Sequence, residues 1–150
     1  MNKIFYYQGD AVHEFLTSNR YQVFIHGANC QATMNSGIAR DVKSRIPELY
    51  HSDLDMHSMK KPTEKLGSIS FVTYQSEDST PPHKMAFNLY TQLFYGTEKR
   101  HFNYGAFVSA LDEAITQVKN SGCVEVNNTF NNTINVVMPK IGCGLGGGDW

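Results

Sequence analysis

With 41% hydrophobic and 18% charged residues in 150 positions, the chain has apolar material for one globular domain with a full core. Its formal net charge of -1, with Lys99-Arg100-His101 as the only basic cluster, argues against tight binding to nucleic-acid phosphate backbones, which needs a basic face. Cys30, Cys123 and Cys143 form no C-x-x-C pair, which indicates neither a disulfide framework nor a zinc knuckle, and no apolar run reaches signal-peptide or membrane-span length; a cytoplasmic protein without a membrane partner is the expectation.

In chain order, residues 3–7 read as a strand ended by Gly9 and Asp10. Residues 11–18 read as a short helix with Val12, Phe15 and Leu16 on one face and Asp10 as its cap. Val23-Phe24-Ile25 is an apolar run without alternation, the mark of a central strand buried on both faces. Residues 36–46 form the next predicted helix, stopped by Pro47. The polar stretch 48–64 reads as a short helix and a loop. Residues 69–74 and 85–90 are predicted strands on either side of a polar, proline-bearing turn at 76–82. Residues 103–120 form the clearest helix, with Phe107, Val108, Leu111, Ile115 and Val118 as its stripe and Gly122 as its stop. Residues 127–132 read as an exposed hairpin or loop, and 134–138 as the last strand. Strands alternating with helices predict an α/β fold, a mixed, largely parallel central sheet covered on both faces.

Two glycine-bearing loops follow apolar strands, one at 29–39 and one at 141–148. Small residues at a strand end leave backbone N–H groups free, and the first loop enters a helix whose N-terminus favours an anion. Two such loops at the carboxyl ends of one sheet would enclose an elongated phosphorylated ligand. Gly142-x-Gly144-x-x-Gly147 matches the dinucleotide fingerprint in form only. It closes the chain instead of opening a βαβ unit, and no acidic residue follows at the required distance. The Gly-Lys-Ser/Thr of a Walker A loop is absent. Neither Cys30 nor Cys143 has an arginine six positions on, which removes a cysteine-phosphatase loop. The six histidines lack metal-ligand spacing, so no metal and no cofactor are expected.

The sequence resembles the macrodomains, a family that binds ADP-ribose and related metabolites. The resemblance spans essentially the whole chain as a single domain. It is carried by Gln8-Gly9-Asp10, by Val23-Phe24-Ile25-His26-Gly27-Ala28-Asn29 leading into Asn35-Ser36-Gly37-Ile38-Ala39, by Asn88-Leu89-Tyr90-Thr91-Gln92, and most specifically by Pro139-Lys140-Ile141-Gly142-Cys143-Gly144-Leu145. These look most like the branch of ADP-ribose 1″-phosphate phosphatases and terminal ADP-ribose glycohydrolases. The resemblance implies a three-layer α/β/α sandwich with the ligand across the strand ends. Asp10 would then accept a hydrogen bond from the adenine amino group, Asn29 would meet the distal ribose, and residues 36–39 with Gly142, Cys143, Gly144, Leu145 and Gly146 would wrap the diphosphate and distal ribose; Gly9, Asn35 and Gln92 complete the expected ligand-binding set.

The glycohydrolase members carry a catalytic lysine and an aspartate where this chain has Gln92 and Gly146. A glutamine cannot form a Schiff base, so the covalent route lacks its nucleophile. The phosphatase-like members keep a histidine at the place of His26. The resulting expectation is metal-free hydrolysis of ADP-ribose 1″-phosphate, with His26 as acid or base and Asn29 orienting ribose or water. A mono-ADP-ribosyl hydrolase acting on protein or nucleic acid, and a non-catalytic ADP-ribose reader, are the alternatives. Relatives continue with a helix after the second glycine loop, whereas this sequence stops at Trp150. A fragment, or a partner such as a second copy covering that surface, is expected.

Overall fold

The computed structural model describes residues 3–74, 83–96, 99, 101–123 and 134–141. The elements run α1 (Ala11–Thr17), β1 (Val23–Asn29), α2 (Gly37–Arg45), α3 (Pro47–Met59), α4 (Pro62–Lys65), β2 (Ile69–Tyr74), β3 (Lys84–Gln92), α5 (Tyr104–Ser121) and β4 (Val136–Val137). The strands form one mixed sheet in the order β2-β3-β1-β4. β1 is central and parallel to both neighbours, while β2 is antiparallel to β3.

Alternation along the strands separates the two cores, because successive side chains leave a strand on opposite faces. Val23, Ile25, Ile69, Met85, Phe87 and Leu89 point to the face covered by α5. Phe24 and Ala86 point to the other, where they pack with Val12 and Phe15 of α1, Val42 of α2 and Leu49 of α3. The result is an α/β/α sandwich. The Lys84 ammonium, from the start of β3, donates to the carbonyls of Phe15 and Ser18 and so ties the end of α1 to the sheet.

Four expectations need correction. Residues 3–7 take no part in the sheet, and Ile4 and Phe5 are 72% and 78% exposed. A strand-like pattern forms a strand only where a sheet edge supplies its ladder. Residues 47–59 form one continuous helix, opened by Pro47 at its first position, where a proline costs no hydrogen bond. Its buried residues are Leu49 and Asp53, so there is no apolar stripe for periodicity to detect. On α5 the fully covered residues are Ala106, Ala110, Ala114 and Val118, whereas Val108 and Ile115 are 58% and 43% exposed. The alanines let the helix lie close on the sheet, Phe107 and Leu111 pack half-buried against the same core, and Val108 and Ile115 turn outward; Leu16 of α1 is likewise exposed. The last strand shrinks from the expected 134–138 to Val136–Val137. The expected turn at 76–82 and hairpin at 127–132 lie outside the described residues.

Candidate functional site

A cleft of about 380 Å³ opens where β1 and β3 end, the position at which open α/β sheets collect ligands. One wall is the loop into α2. Ser36 is the N-cap of α2, yet its side chain makes no capping hydrogen bond. By contrast, Asp10 caps α1 by accepting from His13 N at 3.0 Å, and Asn103 caps α5 by accepting from Ala106 N at 2.9 Å. The first amides of α2 therefore lack the side-chain acceptor that α1 and α5 have, and Gly37, Ile38 and Ala39 line the cleft. An anion is the complementary ligand for such a helix start. Gly37 has φ +55°, a left-handed conformation that favours glycine. Lys140, also in the cleft lining, adds a positive charge.

Of the residues singled out in the sequence, Asn29, Asn35, Ser36, Gly37, Ile38, Ala39 and Gln92 come together around this cleft. Asn29 also organises its own loop. Its Oδ1 accepts from Gln31 N at 2.9 Å and its Nδ2 donates to Thr33 O at 2.8 Å. Gln92 stands opposite Asn29 in the β1–β3 register, just after an irregularity, and its Nε2 donates to Phe94 O. Gly9 and Asp10 are not in the cleft wall. The Asp10 carboxylate bridges α1 and α2, with Arg45 Nη1 2.8 Å from its Oδ2. The His13 amide and Arg45 hold it below its ordinary pKa. Gly142, Cys143, Gly144, Leu145 and Gly146 lie outside the described residues, although Pro139, Lys140 and Ile141 just before them line the cleft. Gly27 is required by close approach, since a Cβ there would sit 2.6 Å from Ile141 Cγ2 and 2.9 Å from Thr91 Oγ1. Tyr95 stands at the mouth, while Tyr90 and Phe102 belong to the core.

His26 is fully buried and forms no part of the cleft wall. It stacks on Phe24, and its Nε2 lies 2.5 Å from Asn88 Oδ1. Because Asn88 Nδ2 donates to Leu49 O and Ser70 Oγ, Oδ1 is the acceptor, and the histidine proton resides on Nε2. Burial pulls the His26 pKa down to about 4, so the ring is neutral at pH 7. Cys30 is also buried, and burial pushes its thiol up to about 11, far from the range of an activated nucleophile.

Sequence reasoning missed the charged residue at the floor of the cleft, Asp53 of α3. His26, Asn88 and Ser70 stand in one row across β1, β3 and β2. From that row a directed chain of hydrogen bonds runs toward the cleft. Asn88 donates to Ser70 at 3.0 Å, Ser70 to the Tyr90 phenol oxygen at 2.8 Å, and the Tyr90 hydroxyl to Asp53 Oδ1 at 2.8 Å. Lys65 of α4, itself wholly buried, donates to the same Oδ1 at 3.1 Å and lies 4.6 Å from the centre of the Tyr90 ring. Burial, with the Asp53 carboxylate next in effect, raises the Tyr90 pKa well above that of an ordinary phenol. The available signal was the polar residues His26, Ser70 and Asn88 inside otherwise apolar strands.

No family model matches the chain. Over 149 residues it is 31% identical to the uncharacterized 17.5 kDa protein in the tk-vs intergenic region of Enterobacteria phage T4, an alignment covering 97% of this chain and 81% of that protein. Among solved structures, the macrodomain of Mycobacterium tuberculosis DarG superposes with a TM-score of 0.66 at 23% identity, over 97% of this chain and 80% of that one. Thermosipho africanus DarTG in complex with ADP-ribose gives a TM-score of 0.66 at 19% identity over 95% of this chain, which spans only 34% of that longer one. The macrodomain of Thermus aquaticus DarG gives 0.55 at 11% identity over 84% of this chain and 93% of that one. At these identities the structural likeness is one of fold.

Proposed function

From a chain that belongs to the family of the phage T4 17.5 kDa protein and carries the macrodomain fold, we propose an ADP-ribose-binding function. The diphosphate would lie on the first amides of α2 and the distal ribose near the ends of β1 and β3. The observation that carries this reading is the uncapped start of α2 facing a cleft at the carboxyl ends of the strands. Lys140 in the same lining favours the same anion. A protein of the same fold, Thermosipho africanus DarTG, is in complex with ADP-ribose, which supports this ligand class. The buried, protonated thiol of Cys30 suits a reducing cytosol. Calorimetric titration with ADP-ribose tests the reading. Saturable binding is expected, and absence of binding overturns it.

Hydrolysis of ADP-ribose 1″-phosphate extends the proposal. Water would add to phosphorus, and the sugar oxygen would leave with a proton. A site that holds a diphosphate on backbone amides suits this step, because phosphoryl transfer is mostly positioning and electrostatics. His26 would serve through a relayed water, being buried away from the cleft wall. Colorimetric phosphate release tests the extension, and binding without turnover leaves a reader. Loss of label from ADP-ribosylated protein or DNA on a gel would instead assign a mono-ADP-ribosyl hydrolase.

A further inference from the structure

We propose that Asp53 is a ligand-binding residue whose Oδ2 accepts a hydrogen bond from a hydroxyl of the distal sugar, and that Lys65 and Tyr90 hold it in place for that purpose. This deepens the ADP-ribose reading and rests on it.

Three observations converge. First, the two carboxylate oxygens differ. Oδ1 takes donors from both Lys65 and Tyr90, whereas Oδ2 is buried without a partner in a residue that lines the cleft. A buried acceptor left without a donor is costly, so a donor arriving with the ligand gives the arrangement a purpose.

Second, the Lys65–Asp53 pair is an inefficient way to stabilise a fold. Both side chains are essentially inaccessible to water, at 0% and 1% exposure. Desolvation of two charges consumes much of their attraction, and apolar side chains of similar volume would serve a core as well. What the pair supplies instead is a carboxylate with a fixed orientation. Tyr90 accepts from Ser70 and donates to Asp53, so the chain of bonds fixes Asp53 as an acceptor.

Third, the sign of the charge orders the ligand. Among the described lining residues, Asp53 and Lys140 are the charged ones. A carboxylate repels phosphate, and the uncapped amides of α2 attract it. The portion of ADP-ribose beyond the diphosphate is a sugar rich in hydroxyl donors. These meet an acceptor that offers nothing to a phosphate oxygen.

The test compares ADP-ribose with ADP, which keeps adenine and diphosphate but lacks the distal sugar. Calorimetry is run on the wild-type protein, on Asp53→Asn, and on Asp53→Asn/Lys65→Met, which removes the stranded ammonium. Wild type should prefer ADP-ribose by at least about tenfold, the scale of one hydrogen bond to a charged group, and the variants should bind both ligands within about twofold of each other. Their affinity for ADP should match wild type. A retained preference, or equal weakening of both ligands, overturns the assignment while leaving the ADP-ribose reading intact. A wild-type protein that binds neither nucleotide overturns that reading and this assignment with it. Should neither variant give a folded circular-dichroism spectrum, a crystal of wild type with ADP-ribose decides. A sugar oxygen within about 3.2 Å of Asp53 Oδ2 is expected, and a phosphate, or water alone, at that place overturns the proposal.

Discussion

α5 closes one face of the sheet with Ala110, Ala114 and Val118 packed with Phe87 and Leu89, whereas α3 adds Leu49 and Asp53 to the other, beside His26, Ser70, Asn88 and Tyr90. The α5 face is held by burial, which is non-directional and tolerates local repacking. The α3 face depends on named partners, and a buried polar group that loses its partner is penalised more than an apolar one that loses a contact. The cleft reaches down to the polar side, where Asp53 forms its floor. One layer of the sandwich is held by burial alone, then, whereas the other adds to its own apolar core of Val12, Phe15, Phe24, Val42 and Leu49 a network of buried polar groups that reaches the cleft.

The largest expected effect breaks that polar side. Lys65→Met leaves the Asp53 carboxylate buried without its cation and should cost about 3–5 kcal/mol of unfolding free energy, measured in urea. Adding Asp53→Asn should recover most of the loss, because the second change removes the stranded charge. If Lys65→Met costs less than about 1 kcal/mol, the pair is solvated and the contrast between the faces fails.

Acid should probe the same face. Burial lowers the His26 pKa from 6.5 to about 4, so on acidification the unfolded chain takes up this proton before the folded one. The stability gained from a neutral His26 is fully present above pH 6.5 and drains away as the pH falls toward 4, by up to about 3 kcal/mol. Urea unfolding of wild type and His26→Gln across that window should show the decline in wild type and a flatter profile in the variant. Parallel profiles would mean that the imidazole reaches water. On the opposite face, Ala110→Leu should cost about 1–3 kcal/mol by overpacking against the sheet, with no change in pH dependence.

The same contrast explains what could be read in the sequence. β1, β2, α2 and the end of α5 announce themselves through apolar runs, Pro47 and Gly122, since each is set by local chemistry. α3 does not, because its buried face carries Asp53, and a carboxylate on a helix counts as solvent-facing until its partner is known. That partner, Lys65, lies 12 positions away on another helix. The alanines of α5 were hidden for a related reason: pattern reading weighs large side chains, while close approach to a sheet selects small ones. For the site, the glycine-bearing loop at 29–39 led to the cleft wall and the helix start. The cleft floor required knowing that β2, β3 and β1 place Ser70, Asn88 and His26 in one row.

The smallest expected effects compare two helix starts. Asn103 caps α5 through its side chain, and Asn103→Ala should cost about 1 kcal/mol. Ser36 stands at the equivalent position of α2 without such a bond, so Ser36→Ala should cost no more than a few tenths. Ser36→Asp separates stability from function most sharply. A carboxylate there would cap the free amides and favour the positive end of the helix, raising stability by about 0.5–1 kcal/mol. It would also occupy the amides proposed for the diphosphate and set a negative charge beside it, so ADP-ribose affinity should fall by at least about tenfold. Thermal unfolding and calorimetry on one preparation would read both signs. A variant that is stabilised and still binds ADP-ribose at wild-type strength would place the diphosphate elsewhere.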